Sequence, residues 1–196
     1  MNLQLTTLVL ASKSPRRQQI LRDAGIPFVV RASEVLEERP ADESPQDYVR
    51  RLAEEKAFAA PMFPGEVVLG ADTTVVVDHH VLEKPRDPAD AMRMLALLSG
   101  REHEVITGVC LRSESRKIVD AAITRVRFVT LTPEEVKTYA ASGEPMDKAG
   151  AYAIQGLASK FIDRIEGDYF NVVGLPVALV YRLLRTLLEH QLDDVR

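Results

Sequence analysis

Hydrophobic and polar positions along the chain alternate between strand-like and helix-like periods. The strand-like runs are residues 8–10, 67–69, 75–77, 104–111 and 118–128. Leu and Val at helical spacing from Leu175 predict a terminal helix that ends near His190. Strands interleaved with helices indicate the α/β class, and hairpin-like strand pairs indicate a mixed sheet rather than a purely parallel one.

Helix starts are marked by a residue that can cap a helix followed at once by proline. The four pairs are Ser14-Pro15, Ser44-Pro45, Asp87-Pro88 and Thr132-Pro133. Proline is tolerated at the first helical position because its missing N–H would have no partner in the helix there. Gly25 and Gly100 are expected to end the first and third of these helices.

Composition narrows the class of protein. The 196 residues suit one domain over 1–196, and 25 Lys and Arg against 29 Asp and Glu give a net charge of −4. This balance argues against binding to nucleic-acid polymers or anionic membranes. The single cysteine, Cys110, excludes an intrachain disulfide and is expected in the core. No run is apolar enough to cross a membrane and no signal peptide is predicted, which favours a cytoplasmic protein.

The densest group of candidate functional residues lies at 12–17, directly after the first strand and at the start of the first helix. Two serine hydroxyls, Lys13, Arg16 and Arg17 surround a helix N-terminus, which presents unpaired N–H groups and partial positive charge. Phosphate groups are bound by such an arrangement. The alternative interpretation is a capped helix start exposed to solvent.

Three further charged residues stand out. Asp72 lies within a valine-rich pair of strands, where a carboxylate must be solvated, paired or bound to a cation. It could instead close a turn at a strand end. Lys84 directly follows a predicted hairpin, and Lys56 lies late on a helix, a position typical of surface lysines.

Gln155 lies in a stretch with two glycines, Gly150 and Gly156, around a predicted short apolar strand. Glycines allow another group to approach the backbone closely, and the amide offers donors and an acceptor suited to reading the edge of a base. The stretch 166–176 is predicted to form a turn and a strand that lead into the last helix.

Seven stretches in order along the chain carry a resemblance to a known family. They are SKSPRR (12–17), LAEEKA (52–57), GADTTV (70–75), LEKPRD (82–87), LSGREHEVITGV (98–109), DKAGAYAIQG (147–156) and GDYFNVVGLP (167–176). Together they resemble the Maf family of nucleoside triphosphate pyrophosphatases, from Leu8 to about Leu184. The resemblance implies an elongated, two-lobed α/β fold like that of the ITPases. It also implies a central mixed, twisted sheet flanked by helices, with a cleft between the lobes.

Within the family, the chain is similar to the dTTP/UTP pyrophosphatase branch. The resemblance implies cleavage between the α- and β-phosphates of dTTP, UTP or a modified pyrimidine nucleotide. It also implies that the products are the nucleoside monophosphate and pyrophosphate, and that the cofactor is a divalent cation, Mg²⁺ or Mn²⁺. Two rivals remain: a pyrophosphatase for 7-methyl-GTP or ITP, and a non-catalytic nucleotide-binding regulator of cell division. A homodimer is a reasonable assembly.

The resemblance also assigns roles to individual residues. The proton acceptor falls on Asp72, which acts either as a general base or by orienting a metal-bound water. The base-specificity positions fall on Arg16, Thr73 and Gln155, and the phosphate-binding positions on Ser14, Arg17, Lys56 and Lys84. Many members have Val-Asp-Glu before the second helix, whereas this chain has Val35-Leu36-Glu37. Glu37 is therefore the candidate metal ligand of that loop, with Asp72 as a second.

Overall fold

The fold is a mixed sheet with helices packed against it, seen in a computed structural model that describes residues 7–32 and 34–193. The strands are β1 (Thr7–Leu10), β2 (Phe28–Val30), β3 (Glu66–Val77), β4 (His80–Leu82), β5 (Glu102–Arg112), β6 (Lys117–Phe128) and β7 (Ile162–Glu166). The helices are α1 (Pro15–Asp23), α2 (Pro45–Ala59), α3 (Pro88–Leu98), α4 (Pro133–Ala141), α5 (Tyr169–Val173) and α6 (Val177–Asp193). Within this part of the chain, no helix is both long and apolar enough to cross a membrane.

The strands form one sheet in the order β2-β1-β3-β5-β6-β7, with β4 paired to β3 outside this path. The β1 strand pairs in parallel with both β2 and β3, whereas β4 is antiparallel to β3 and β7 is antiparallel to β6. The predicted α/β class and mixed sheet are confirmed. The absence of a signal peptide was inferred partly from residues 1–6, which lie outside the described residues.

All four predicted helix starts are confirmed. In each, the capping side chain accepts the backbone N–H three residues on. These pairs are Ser14 with Arg17, Ser44 with Asp47, Asp87 with Asp90 and Thr132 with Glu135. Gly25 and Gly100 follow α1 and α3 with φ of 65° and 69°, the left-handed conformation expected after a helix end. Local side-chain chemistry therefore sets where these helices begin and end.

The chain divides into two compact units, of which the first comprises the described residues of Met1–Asp72, Thr107–Ala122 and Gly174–Arg196. Small residues of α2, Ala53 and Ala57, are packed there with apolar residues of the sheet. A Cβ on Gly70 would overlap the Ala53 carbonyl oxygen and lie 2.7 Å from Ala57 N. The backbone of α2 therefore lies directly against β3, and a side chain at position 70 would prevent this approach.

The second unit comprises Thr73–Ile106 and Ile123–Val173. Aromatic rings fill its core, where Phe128 and Tyr152 make edge contacts with each other and with the ring of His103. His103 Nε2 lies 2.8 Å from Tyr152 Oη. Burial lowers the pKa of His103 to about 3, so the imidazole is a neutral core group at physiological pH.

One predicted pair of strands is a single strand. Residues 67–69 and 75–77 both belong to β3, which runs through Asp72 without a break. The interpretation of Asp72 as a turn residue at a strand end is therefore wrong. A carboxylate is tolerated in the middle of this strand because a lysine from α2 pairs with it.

Two predicted strands are absent from the described fold. The stretch 147–156 contains a short 3₁₀ segment, Ala149–Ala151, in which Gly150 and Ala151 have φ of 69° and 59°, values that a strand does not allow. The stretch 166–176 contains the short helix α5 instead. Asn171 Nδ2 holds this helix by donating to Val105 O at 2.9 Å and to Thr124 Oγ1 at 3.0 Å.

Candidate active site

The centre of the candidate site is a lysine shared by two carboxylates. Lys56 Nζ lies 2.6 Å from Asp72 Oδ1 and 2.5 Å from Glu37 Oε1. The side chains of Lys56 and Asp72 are 12% and 11% exposed, and that of Glu37 is 40% exposed. Lys56 is thus not the surface lysine that its place on the helix suggested. The pair with Asp72 is screened from water and is stronger than a surface ion pair.

The lack of a side chain at position 70 explains why Lys56, on α2, can reach Asp72. Residues 70 and 72 of β3 point to the same face of the sheet because side chains alternate along a strand. Gly70 lets the α2 backbone lie against that face, which brings Lys56 to Asp72. The site therefore depends on a residue that has no side chain.

Arg17 holds the backbone beside Asp72. Its Nε donates to Gly174 O at 2.8 Å, and its Nη1 donates to Ala71 O at 2.8 Å and to Ser12 Oγ at 3.2 Å. Burial lowers the pKa of the guanidinium, and the carboxylates of Asp72 and Glu37 act in the opposite direction. Arg17 thus fixes the residue before Asp72 and places a positive charge near both carboxylates.

The start of α1 completes this group. Ser14 caps the helix by accepting the Arg17 N–H at 3.4 Å, and its own N–H donates to Ser12 Oγ at 3.2 Å. Arg16 is half-buried on the same helix turn. Of the predicted site residues, the structure brings together Ser14, Arg17, Glu37, Lys56 and Asp72 in the first unit. Thr73, Lys84 and Gln155 belong to the second unit.

The two carboxylates are the candidate ligands for a divalent cation in this site. Among residues 7–32 and 34–193, no group of three or more His, Cys, Asp and Glu side chains is arranged to hold a metal. Glu37 and Asp72 do converge on one cation, the Lys56 ammonium. Mg²⁺ is commonly held by one or two carboxylates together with substrate phosphates and waters. These two residues fit such a shared site and do not form a metal cage made of protein alone.

Sequence reasoning missed Tyr139 and Glu144. Their side chains accept the backbone N–H groups of Ala153 and Leu157, on either side of Gln155. No local pattern indicates these contacts, because the bonded residues lie 14 and 13 positions apart in the sequence. The one hint in the sequence is the glycine at 156, because a residue without a side chain leaves room for another group, here the Glu144 carboxylate.

In this mixed α/β fold, a strand aspartate lies close to a helix N-terminus, an arginine and a lysine. Such a group of cations and N–H donors is typical of proteins that bind an anionic ligand. More narrowly, the chain belongs to the Maf family, because the sequence model described as "Maf-like protein" matches residues 7–187. The resemblance drawn from the seven stretches is confirmed.

Curated relatives cover most of this chain. A protein of Koribacter versatilis named dTTP/UTP pyrophosphatase is 54% identical over 91% of this chain and 93% of its own length. Proteins with the same name from Symbiobacterium thermophilum and Bacillus pumilus are 53% and 47% identical, over 90% and 93% of this chain and 92% and 97% of their own lengths. A solved dITP/XTP pyrophosphatase from Mycobacterium abscessus is 16% identical, over 70% of this chain and 95% of its own, with a TM-score of 0.40. That likeness is too slight to carry an argument.

Replacing Arg17 with lysine is expected to lower both stability and turnover. A lysine can reach one of the two carbonyls but cannot span Ala71 O and Gly174 O. Losing a hydrogen bond from a charged donor costs roughly 1–3 kcal/mol in the free energy of unfolding. Urea denaturation and a rate assay measure the two effects. Arg22→Lys, on the exposed side of α1, serves as the control. Wild-type stability and rate in Arg17→Lys would show that these contacts do not hold the site.

Proposed function

We propose that this protein hydrolyses UTP and dTTP to the nucleoside monophosphate and pyrophosphate. The observation that carries the proposal is the convergence of Lys56, Glu37 and Asp72 beside the N-terminus of α1. It occurs in a chain about half identical to proteins named dTTP/UTP pyrophosphatase. A nucleoside triphosphate brings several negative charges, and a protein of net charge −4 needs a local group of cations to bind them.

Asp72 is proposed to accept the proton of the attacking water. Its carboxylate is fixed by Lys56 on one side and by the Arg17-bound backbone of Ala71 on the other, so its position is set before substrate binds. A general base must be held within hydrogen-bond reach of the water that it deprotonates. Proton removal makes the water a stronger nucleophile toward phosphorus, and pyrophosphate leaves as the bond between the α- and β-phosphates breaks.

The cations are proposed to bind the triphosphate. Arg17 and Lys56 supply positive charge next to Asp72, and Ser14 with the N–H groups of the α1 N-terminus offers donors to phosphate oxygens. Lys84, exposed in the second unit, is assigned the same role on the basis of the family resemblance alone. Arg16 and Thr73 are likewise assigned to base selection.

Glu37 and Asp72 are the proposed ligands of a divalent cation. A bound Mg²⁺ or Mn²⁺ supplies charge neutralisation at the phosphate oxygens. Lys56 already occupies the place between the two carboxylates and offsets their mutual repulsion. Glu37 and Asp72 would hold the cation, and Lys56 would stay beside them as a positive charge for the triphosphate.

A pyrophosphate-release screen tests the proposal. The protein is incubated with UTP, dTTP, CTP, 7-methyl-GTP and ITP, each with Mg²⁺, Mn²⁺ or a chelator, and phosphate is assayed separately from pyrophosphate. UTP and dTTP are expected to give pyrophosphate in a metal-dependent reaction. Preference for 7-methyl-GTP or ITP would overturn the substrate assignment. Background release with every nucleotide would overturn catalysis and favour a nucleotide-binding regulator.

Gln155 is proposed to read the uracil or thymine edge. Its amide oxygen can accept the base N3–H while its NH₂ donates to O4, and cytosine, which has an acceptor at N3 and an amino group in place of O4, would mismatch both groups. Gln155→Ala is therefore expected to lose most turnover of UTP and dTTP. The ratio of their kcat/KM values to that of CTP is also expected to fall. Comparing kcat/KM for the three nucleotides decides this. A uniform loss with the UTP/CTP ratio intact would mean that Gln155 only supports the backbone.

The protein is further proposed to be cytoplasmic and to form a homodimer. A cytoplasmic protein that binds nucleoside triphosphates, and neither nucleic-acid polymers nor membranes, accords with its acidic charge. A homodimer is the assembly proposed. Light scattering of the purified protein tests it, and a monomer mass across a range of concentrations would refute it.

A further inference from the structure

Gln155 lies in a tight turn on the surface of the second unit. The turn spans 153–156 and is closed by a hydrogen bond from Gly156 N to Ala153 O at 3.1 Å. Gln155 is exposed, and Leu157, just beyond it, is 56% exposed. Packing against apolar neighbours therefore contributes little to holding this end of the turn. A side chain that reads a base needs a fixed direction, so other contacts must set it.

Those contacts come from one pair of side chains. Tyr139, on α4, accepts the N–H of Ala153 on its hydroxyl at 3.3 Å, and that hydroxyl donates to Glu144 Oε1 at 2.8 Å. The other carboxylate oxygen, Glu144 Oε2, accepts the N–H of Leu157 at 3.1 Å. The Tyr139–Glu144 pair thus binds the backbone N–H of the first residue of the turn and that of the residue directly after it.

The pair is itself well anchored. Tyr139 is 3% exposed and its ring lies edge-on to Phe161 in the core. Burial and the hydrogen bond to Glu144 both raise the pKa of Tyr139, so its phenol keeps the proton that it donates. A buried, protonated phenol therefore fixes one carboxylate oxygen of Glu144, and the other is directed to the turn.

The sequence of the turn matches this arrangement. A Cβ on Gly156 would lie 2.5 Å from Glu144 Cδ and would overlap both carboxylate oxygens. Gly156 has φ of −108°, which any residue can adopt, so backbone conformation does not require glycine here. Glycine at 156 instead leaves the space that the Glu144 carboxylate occupies.

We propose that Tyr139 and Glu144 are positioning residues for base selection, which act by holding both ends of the turn that carries Gln155. This inference rests on the proposed role of Gln155 in reading the uracil or thymine edge. Neither residue needs to touch the substrate. Their contribution is to keep the Gln155 amide in one orientation, so that UTP and dTTP are distinguished from CTP.

The test measures kcat/KM for UTP and CTP in the full-length protein. Glu144→Ala is expected to lower the UTP/CTP ratio about tenfold, because a freed turn lets the amide meet either base. Glu144→Gln keeps an acceptor for Leu157 N and a partner for Tyr139. Its UTP/CTP ratio is therefore expected to lie close to that of the wild type. Tyr139→Phe removes the hydroxyl from the other end of the turn and is expected to lower the ratio as well.

Gly156→Ala tests the same contact in a protein that keeps the Tyr139 and Glu144 side chains. Its methyl group displaces the Glu144 carboxylate, so the ratio should fall as it does in Glu144→Ala. Combining the two changes should give no further loss, because both break the same contact. This variant also keeps the inference testable if Glu144→Ala does not fold.

Glu135→Ala is the matched control. Glu135 caps the start of α4, and its hydrogen bonds go to Thr132 at that helix end, away from the turn. It is expected to lower the melting temperature and leave the UTP/CTP ratio unchanged. An unchanged ratio in Glu144→Ala and Gly156→Ala, or an equal fall in Glu135→Ala, would overturn the inference.

The Gln155→Ala variant separates this inference from the proposed function. If Gln155→Ala narrows the UTP/CTP ratio and Glu144→Ala leaves it intact, the positioning role is wrong and base reading by Gln155 survives. If Gln155→Ala leaves the ratio intact, base reading itself is wrong and the inference fails with it. On the Gln155→Ala background, Glu144→Ala is expected to change the ratio no further.

Discussion

Replacing Asp72 with asparagine is expected to lower the turnover of UTP by about 100-fold or more, the effect of losing a general base. The change keeps the size of the side chain and removes the group that accepts a proton. Lys56 retains Glu37 as a charged partner, so its ammonium is not left unpaired when Asp72 is neutralised. The melting temperature should therefore stay near that of the wild type. Pyrophosphate release and thermal unfolding, measured on the same preparation, give the two values.

Asp90→Asn is the matched control for this prediction. Asp90 is a second buried aspartate in an ion pair, 2.7 Å from Arg93, and it accepts the N–H groups of Arg86 and Arg93 side chains at the start of α3. Neutralising it should cost stability and leave turnover intact. Near wild-type turnover in Asp72→Asn, or an equal loss of turnover in both variants, would remove Asp72 from the mechanism.

Gly70→Ala is expected to damage both fold and activity. The added methyl group would overlap main-chain atoms of α2 at Ala53 and Ala57, and main-chain atoms cannot move aside as a side-chain tip can. Overpacking of this kind costs about 3 kcal/mol, the upper part of the usual range. Pushing α2 from β3 also withdraws Lys56 from Asp72, and a shift of about 1 Å can cost about 100-fold in rate. Urea denaturation and pyrophosphate release measure the two losses.

A double variant tests the reason given for Gly70. Ala57→Gly removes the Ala57 methyl group but leaves the Ala53 oxygen and the Ala57 nitrogen where they are. The double variant is therefore expected to be as unstable and as slow as Gly70→Ala alone. Full recovery in the double variant would show that side-chain crowding, and not contact between backbones, makes glycine necessary there. A Gly70→Ala protein as stable and active as the wild type would refute the close approach of α2 and β3.

The helix starts could be predicted from the sequence because each depends on two adjacent residues. Ser14-Pro15 and Thr132-Pro133 carry their capping chemistry within one turn of the helix, and tertiary structure does not need to be known. The strands could be predicted for a similar reason, since stretches such as 118–128 are rich in residues with a high preference for strands.

The geometry of the site could not be predicted in the same way. The family resemblance named Lys56 and Asp72 separately, but their contact depends on how closely α2 approaches β3, which Gly70 decides. The three-residue strand β2 was missed because it forms by pairing with β1 and is too short to show a period. Residues 147–156 were misassigned because left-handed conformations at Gly150 and Ala151 turn an apolar stretch back on itself.

The contact between Arg17 and Gly174 has a consequence for the time at which the protein becomes active during its synthesis. The two residues are 157 positions apart, and the first unit draws on the beginning, the middle and the end of the chain. A ribosome adds roughly 5–20 residues per second, from the N-terminus onward. Asp72 is therefore made well before the Gly174 carbonyl that anchors Arg17 beside it. A nascent chain that stops short of residue 174 lacks this anchor for Arg17, so hydrolysis should begin only after Gly174 has left the ribosome.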